Sequence, residues 1–309
     1  MTQFVDLRRW SHGGWLVHDL DEMHYWEGVA DNPKHPQSID RNTLLKNSAG
    51  RDVVFVIHGF NVNRTSGIEH IDHWASLLRS QLPGSANAQV IGVLWPGDSV
   101  WAFGLDYPEE PKVAQEAGAL LARWVNAYLP SVASVSLVSH SLGARVVLSC
   151  IESLQSSVKV RRAVLMAGAI DNDCLAAEFS GVVSRVEQIS VLSSLKDSVL
   201  SLAFPLGNPV SGLVGTGHPW YQSALGHTGP SLNSIACVKS PYAIQDSWEF
   251  GHKHYLQYTP SGTLRAPVPA PPGALRLPAL PPATVWATAP APNGWQETFT
   301  ATFVADRLA

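Results

Sequence analysis

The chain has 309 residues, of which 45% are hydrophobic and 15% are charged, a composition typical of a globular protein with a sizeable core. Its formal net charge of −4 at pH 7 leaves no excess of positive charge to neutralise a phosphate backbone, so nucleic acid is not an expected partner. Three cysteines at wide spacings indicate neither a disulfide framework nor a zinc site.

The sequence predicts neither an export signal nor a membrane anchor. The N-terminal residues lack the apolar stretch and the small-residue cleavage site of a secretory signal. No later segment offers the roughly 18 uninterrupted apolar residues that are needed to cross a bilayer. We therefore expect a cytoplasmic protein without stable membrane insertion, and the sequence does not indicate an oligomeric state.

Buried strands alternate with amphipathic helices along the middle of the chain. Continuous apolar runs of strand length occupy residues 53–57, 89–95 and 134–139. Apolar residues at helical spacing follow the first two runs, at residues 66–82 and 113–129. Such alternation is typical of a parallel sheet that is covered by helices on both faces.

The same alternation continues through the second half of the main domain. It predicts a helix over residues 142–154 and strands over residues 162–170 and 186–194. After a Gly-rich stretch, the last predicted strand covers residues 234–238. We expect the main domain to span residues 1–260.

Residues 261–309 form a tail of different composition. Residues 266–293 are dominated by Pro and Ala, which favours polyproline II and does not build a packed core. The final WQETFTATFV segment alternates apolar and polar residues, as an edge strand would. We predict a terminal strand that folds back on the body, the alternative being addition to a partner's sheet.

A serine motif joins the strand at residues 134–139 to the helix that follows it. Its sequence is Ser-His-Ser-Leu-Gly, with Ser141 in the centre. A strand, a tight turn and a helix make the context of a nucleophile elbow, in which the serine Oγ projects above the sheet. Ser139 stands where glycine is more usual, but it is still small. The alternative is that Ser141 merely caps the helix.

A serine that attacks a carbonyl group needs donors for the negative charge that develops on the oxygen. The amide of Leu142, at the N-terminus of the helix, is one candidate. The second candidate lies in the loop after the first central strand, where the chain reads His58-Gly59-Phe60. We predict that Phe60 donates its amide and that Gly59 lets the backbone approach the substrate.

These residues resemble the α/β-hydrolase superfamily and, within it, a bacterial family of serine hydrolases. The resemblance rests on the blocks HGFNV, LWPGDS and SHSLGARV and covers about residues 51–256. It implies an α/β fold with a mostly parallel sheet of roughly eight strands and helices on both faces. It also implies a catalytic triad in the chain order Ser, acid, His. The Pro-rich tail has no part in it.

The implied order places the acid after a strand downstream of Ser141. Asp197 occupies that place, at the end of the strand predicted over residues 186–194. Asp171 and Asp173 follow the preceding strand and form the alternative pair. Either set could instead cap a loop, which is the commonest role of aspartate.

The base must follow the acid, on a loop beyond the last strand. The candidates are His218, His227, His252 and His254. We predict His252, because the Gly-His-x-x-Tyr segment around it is similar to one that often ends the family, and His254 is the next choice. A surface or metal pair of His252 and His254 is the alternative, although two histidines alone make a weak metal site.

Aromatic residues near the predicted serine indicate an apolar pocket. Trp95 leaves a strand at its carboxyl end, where ligands bind in such folds, and Trp101 follows shortly after. With His58, Gly59 and His140 they complete our predicted substrate pocket, His140 as a wall or orienting residue because adjacent residues on a tight turn point apart. Trp95 could equally seal the core.

No cofactor or metal is expected for this chemistry. His70 and His73 stand one helical turn apart beside Glu69 and Asp72 and resemble metal ligands. One turn without a supporting motif is more typical of a polar helix face.

Together these features predict a carboxylic ester hydrolase that acts on a small ester or acyl substrate through Ser141, His252 and Asp197. A lipase, phospholipase or thioesterase would use the same triad. A binding protein that keeps the fold without turnover is the alternative from a different class.

Overall fold

One mixed sheet runs through the computed structural model, which describes residues 1–10, 15–29, 35–83, 87–98, 110–207, 223–231, 235, 237–238, 242–256 and 295–309. Within these ranges the strands are β1 (Gln3–Asp6), β2 (His24–Glu27), β3 (Gln37–Ser38), β4 (Asp52–Ile57), β5 (Ala88–Leu94), β6 (Ser134–His140), β7 (Val160–Met166), β8 (Val186–Ser193) and β9 (Tyr242–Ala243). The helices are α1 (Arg41–Ser48), α2 (Arg64–Gln81), α3 (Glu110–Tyr128), α4 (Gly143–Ser153), α5 (Ser198–Gly207), α6 (Leu225–Thr228) and α7 (Trp295–Leu308).

The nine strands lie in the order β3-β2-β1-β5-β4-β6-β7-β8-β9. Neighbouring strands are parallel from β1 to β9, whereas β2 is antiparallel to both β1 and β3. The predicted α/β class with a mostly parallel sheet is therefore confirmed. The sequence patterns did not predict β1, β2 and β3, which extend the sheet beyond β5.

Helices cover the sheet in two layers. α2 packs against α7, and α3 packs against α4. The chain passes through α2 from β4 to β5 in one direction along the sheet and returns through α3 to β6, so right-handed crossovers place the two layers on opposite faces. None of the helices in the described ranges is long and apolar enough to cross a membrane.

The central strand β6 shows why this sheet forms. All seven of its residues are buried, and it pairs with β4 on one side and β7 on the other. A strand that is covered on both faces must be apolar or small at every position, as SVSLVSH largely is. Because the strands are parallel, the loops at their carboxyl ends meet along one edge of the sheet, and this edge carries His58, Ser141 and Asp197.

The last strand differs from the prediction. Of the segment 234–238, predicted as a strand, the structure describes only part, and there Val238 makes a single parallel bridge to Ile189. The strand that pairs with β8 is β9, four residues further along the chain. The bridge places Val238 beside β8, as the prediction requires, and the rest of the predicted strand lies partly outside the described residues.

The predicted terminal strand is also wrong, since this segment forms the helix α7. Phe299 and Phe303, four residues apart, are both buried and pack toward the body of the protein. Thr300 lies between them and accepts a hydrogen bond of 2.9 Å from the Trp74 Nε1–H of α2. Apolar residues every four positions suit a helix that packs on one side, and this packing decides between the two patterns.

Candidate active site

The predicted elbow serine lies between β6 and α4. Ser141 has φ of 55°, in the left-handed region that L residues rarely adopt, so its backbone is held in a strained turn. A side chain at Gly143 would place its Cβ 2.6 Å from the His58 carbonyl oxygen, so only glycine lets α4 start this close to β4. Ser139, two residues before the nucleophile, is fully buried.

His252 meets Ser141 from the other side of the site. It stands in a single 3₁₀ turn, His252–His254, beyond the last strand. Its Nε2 lies 2.8 Å from the Ser141 Oγ, and its Nδ1 lies 2.8 Å from the Asp197 Oδ2. With the proton on Nδ1, the ring donates to the carboxylate and accepts from the serine hydroxyl.

Asp197 completes this chain of hydrogen bonds and also caps a helix. Its side chain is 0% exposed, whereas that of His252 is 12% exposed. The Oδ1 atom accepts a hydrogen bond of 3.1 Å from the Leu200 N–H in the first turn of α5. The two readings of this aspartate, triad acid and loop cap, are thus both compatible with its position, because each carboxylate oxygen has its own donor.

Ser194 ties the loop of the acid to the loop of the base. Its Oγ donates a hydrogen bond of 2.7 Å to the Phe250 carbonyl, two residues before His252. The same Oγ accepts from the Lys196 N–H at 3.2 Å. The short loop that carries Asp197 is therefore fixed relative to the imidazole.

His140 contacts both the backbone and the ring of His252. Its Nε2–H donates a hydrogen bond of 2.8 Å to the His252 carbonyl, and the two rings lie 4.8 Å apart between centroids. The Tyr255 ring stacks on the His140 ring, with centroids 5.7 Å apart and an interplanar angle of 27°. Burial lowers the pKa of His140 well below its ordinary value, so this ring is neutral. These contacts agree with the predicted orienting role.

The loops after β4 and β5 interlock beside the serine. The Trp95 indole N–H donates to the His58 carbonyl at 2.8 Å, and the two rings stack with centroids 5.7 Å apart. Asn61 donates its backbone N–H to the Gly97 carbonyl at 2.6 Å. Gly59 has no side chain, and a Cβ there would lie 2.7 Å from the Ser141 Cβ. The Phe60 amide therefore lies in a loop that is bound on both sides and passes directly along Ser141.

His58 serves this loop as a neutral ring. Its Nδ1–H donates to the Gly59 carbonyl at 2.8 Å, and its Nε2 accepts from the Trp95 N–H at 3.3 Å. Burial first, and the charge of Arg8 second, lower the pKa of His58 to about 3. Both hydrogen bonds suit the neutral imidazole, since a protonated Nε2 could not accept.

The structure separates the alternatives for the acid and the base. Asp197 is the carboxylate at His252, and Asp171 lies in the loop after β7, where it bridges to Ala224. His254 accepts a hydrogen bond from the Gly251 N–H at 2.9 Å through its Nδ1, which closes its own turn. The predicted pocket residue Trp101 and the alternative base His218 lie outside the described residues.

The structure also gives the positions of Leu142, the predicted oxyanion donor, and of the histidines considered as metal ligands. Leu142 is the N-cap of α4, so its amide belongs to the turn whose N–H groups lack intrahelical acceptors. His70 and His73 lie in α2, and burial lowers the pKa of both. In the described part of the chain, no group of three or more His, Cys, Asp or Glu side chains could hold a metal ion.

Sequence reasoning missed several residues that support this site. Ser194 and Arg8 carry no motif of their own, and each contacts a residue far away in the chain. Tyr255 ends the Gly-His-x-x-Tyr segment, but nothing in the sequence indicates its contact with His140. Ser194 stands three residues before Asp197 and could have been marked as its neighbour. For Arg8, 52 residues before Phe60 in the sequence, no local signal exists.

A mostly parallel sheet with an elbow serine, a buried carboxylate and a late histidine in that order defines the class of α/β hydrolases. The family described as "Alpha/beta hydrolase of unknown function (DUF900)" matches residues 35–254. The chain belongs to this family. No curated protein matches the chain in sequence.

Several solved structures resemble this chain at low sequence identity. Esterase PE8 is 15% identical, with a TM-score of 0.38, and the match covers 66% of this chain and 86% of that one. The esterase Pf2001 of Pyrococcus furiosus is 12% identical over 60% and 72% of the two chains, with a TM-score of 0.31. The thermophilic esterase Est2 of Thermogutta terrifontis is 9% identical over 83% and 89%, with a TM-score of 0.35.

Proposed function

We propose that the protein is a serine esterase that hydrolyses small carboxylic esters through a covalent acyl-enzyme. The observation that carries this proposal is the continuous hydrogen-bond chain from Asp197 through His252 to Ser141, with both distances at 2.8 Å. A hydroxyl is a weak nucleophile, and an adjacent, oriented base is what activates it.

In the first half of the reaction, the Ser141 Oγ attacks the ester carbonyl carbon while its proton passes to the His252 Nε2. The amides of Phe60 and Leu142 donate to the resulting oxyanion. The intermediate then collapses, the bond to the leaving oxygen breaks, and the alkoxide takes the proton from His252. The alcohol leaves and the acyl group stays on Ser141.

In the second half, water attacks the acyl carbon and His252 takes its proton. Collapse of the second tetrahedral intermediate breaks the acyl bond to Oγ, which regains its proton from His252 as the carboxylic acid leaves. Asp197 stabilises the imidazolium that forms twice in this cycle. The neutral His140 beside it adds no positive charge that would oppose that imidazolium.

The test is covalent labelling with a fluorophosphonate, together with hydrolysis of p-nitrophenyl butyrate. We expect the label on Ser141, and we expect Ser141→Ala to lose labelling and to reduce kcat by a factor on the order of 10⁴ or more. Ser139→Ala is the matched control, because Ser139 lies two residues away and is also buried. It should keep both labelling and most of the turnover.

Undiminished hydrolysis by folded Ser141→Ala would contradict the proposal. A wild-type protein that is folded but neither labels nor hydrolyses short esters would favour a binding role on the same fold.

A further inference from the structure

Arg8 is a fully buried cation at the edge of the candidate active site. It lies two residues after β1, and its side chain is 0% exposed. The guanidinium donates to the Asp98 carboxylate and to the Val62 carbonyl. It therefore contacts both of the loops that interlock beside Ser141, the loop after β4 and the loop after β5.

The two acceptors stand at informative positions in these loops. Val62 follows Phe60 by two residues, and Asp98 follows Trp95 by three. Between them, the Asn61 N–H donates to the Gly97 carbonyl at 2.6 Å. Arg8 links the same two loops a second time, through Val62 and Asp98. The loop that carries the Phe60 amide is therefore joined to its neighbour at two separate points.

Arg8 is itself fixed by β1. Its backbone N–H donates to the Asp6 carboxylate at 3.1 Å, and the other oxygen of that carboxylate accepts from the Trp26 indole at 3.1 Å. β1 in turn pairs in parallel with β5 through four residues. The guanidinium is thus held against the sheet and not merely against the loops.

A buried ion pair is a costly way to gain stability, because desolvation offsets most of the attraction between the charges. Its better-supported use is to specify one geometry among several. The planar fork of arginine suits this use, since it donates in two fixed directions at once, which the single ammonium of lysine does not do. The geometry that Arg8 specifies is that of the loop along Ser141.

We propose that Arg8 is a positioning residue that holds the Phe60 amide where the ester oxyanion forms. This inference rests on the proposed esterase function. Arg8 does not touch the substrate and acts through the backbone of residues 60–62. Loss of Arg8 should therefore weaken stabilisation of the tetrahedral intermediate, because a displaced donor weakens binding of the transition state more than binding of the substrate.

The experiment compares Arg8→Lys and Arg8→Met with wild type in hydrolysis of p-nitrophenyl butyrate and in binding of an aliphatic trifluoromethyl ketone. The Ser141 Oγ adds to the carbonyl carbon of such a ketone, the serine proton passes to His252, and the carbonyl oxygen becomes an oxyanion. We expect kcat to fall roughly tenfold to a hundredfold with little change in KM. Affinity for the ketone should fall in parallel with kcat/KM.

The matched control is Arg162→Met. Arg162 lies at the other end of the sheet, where its side chain donates to the Arg307 carbonyl at 2.9 Å and pairs with Glu187. It should lose some stability without a change in kcat or in ketone affinity. Thermal unfolding of each variant separates a folding defect from a catalytic one, and Arg8→Lys keeps the test valid if Arg8→Met does not fold.

Unchanged kcat/KM and ketone affinity in folded Arg8→Lys would overturn this inference alone. A rise in KM at constant kcat would also overturn it, because substrate binding would then be the affected step. If wild type hydrolyses no ester and binds no ketone, the esterase proposal fails and this inference fails with it.

Discussion

His252 and His254 stand two residues apart in one turn but have different partners. His252 contacts Ser141 and Asp197, whereas His254 accepts a hydrogen bond from the Gly251 N–H. We therefore expect His252→Ala to lower kcat for short esters by several orders of magnitude and His254→Ala to keep much of the wild-type rate. Asp197→Asn should behave like His252→Ala.

The measurement is the steady-state rate of each folded variant, and His254→Ala is the internal control for disturbance of the turn. Comparable rates for wild type and His252→Ala would show that another group takes the serine proton. The assignment of the base from the Gly-His-x-x-Tyr segment would then be wrong.

The residues at this site divide into those with a sequence signal and those without one. Ser141 and Leu142 could be predicted because a strand, a small-residue turn and a helix follow one another without interruption in the chain. Asp197 and His252 could be chosen only with the help of the family order. Arg8 could not be predicted, because the role proposed for it depends on pairing between β1 and β5, whose paired residues are 88 positions apart in the chain.

At the level of elements, α7 supports the loop of the predicted base. Phe299 packs edge-to-face on Trp248 at 5.4 Å and on Phe250 at 5.8 Å between ring centroids. The Thr300 Oγ1 donates to the Tyr255 carbonyl at 2.8 Å, so the helix contacts both ends of the segment around His252.

We expect Phe299→Ala to lower the free energy of unfolding by about 3–5 kcal/mol, because it leaves a cavity beneath the loop of His252. The change should also reduce kcat, and urea unfolding together with ester hydrolysis measures both effects. Gln296→Ala, at a partly exposed position of the same helix, is the control. If removal of residues 295–309 leaves the unfolding midpoint unchanged, α7 contributes nothing to the stability of the fold.

The elements of the sheet also show where sequence patterns suffice. β4 to β8 could be predicted because continuous apolar runs occur in β-sheets that are buried on both faces. β1 to β3 have four residues or fewer, which is too short for any period to be recognised. In α7 the alternation of Thr with apolar residues imitates a strand, and the spacing of Phe299 and Phe303 fits a helix equally well. Only packing against α2 decides this case.

For the whole molecule, the buried histidines predict sensitivity to mild acid. The pKa of His58 is lowered to about 3 and that of His140 lies well below its ordinary value of 6.5. Below pH 6.5 the unfolded chain therefore binds protons that the folded chain does not bind, so the free energy of unfolding falls as the pH falls. Each histidine contributes a slope of up to about 1.4 kcal/mol per pH unit, and for His58 this continues down to about pH 3.

Urea unfolding between pH 7.5 and 5 measures this slope. Burial raises the pKa of Asp6 and Glu297, which act in the opposite direction, so the difference between wild type and His58→Gln isolates one histidine. The variant should show a flatter dependence of the free energy of unfolding on pH than wild type does. Equal slopes for wild type and His58→Gln would mean that His58 takes up a proton without unfolding.

The pairing of β1 with β5 has a consequence for association between copies of the chain. The family match begins at residue 35, so it omits β1 and β2. Without them, the seven residues of β5 would form an uncovered edge, and the free N–H and C=O groups of an apolar strand are a template for strand addition from another molecule. β1 and β2 cover that edge of β5, so the sheet ends at β3, which has only two residues, both polar and exposed, and offers few free backbone groups to another copy of the chain.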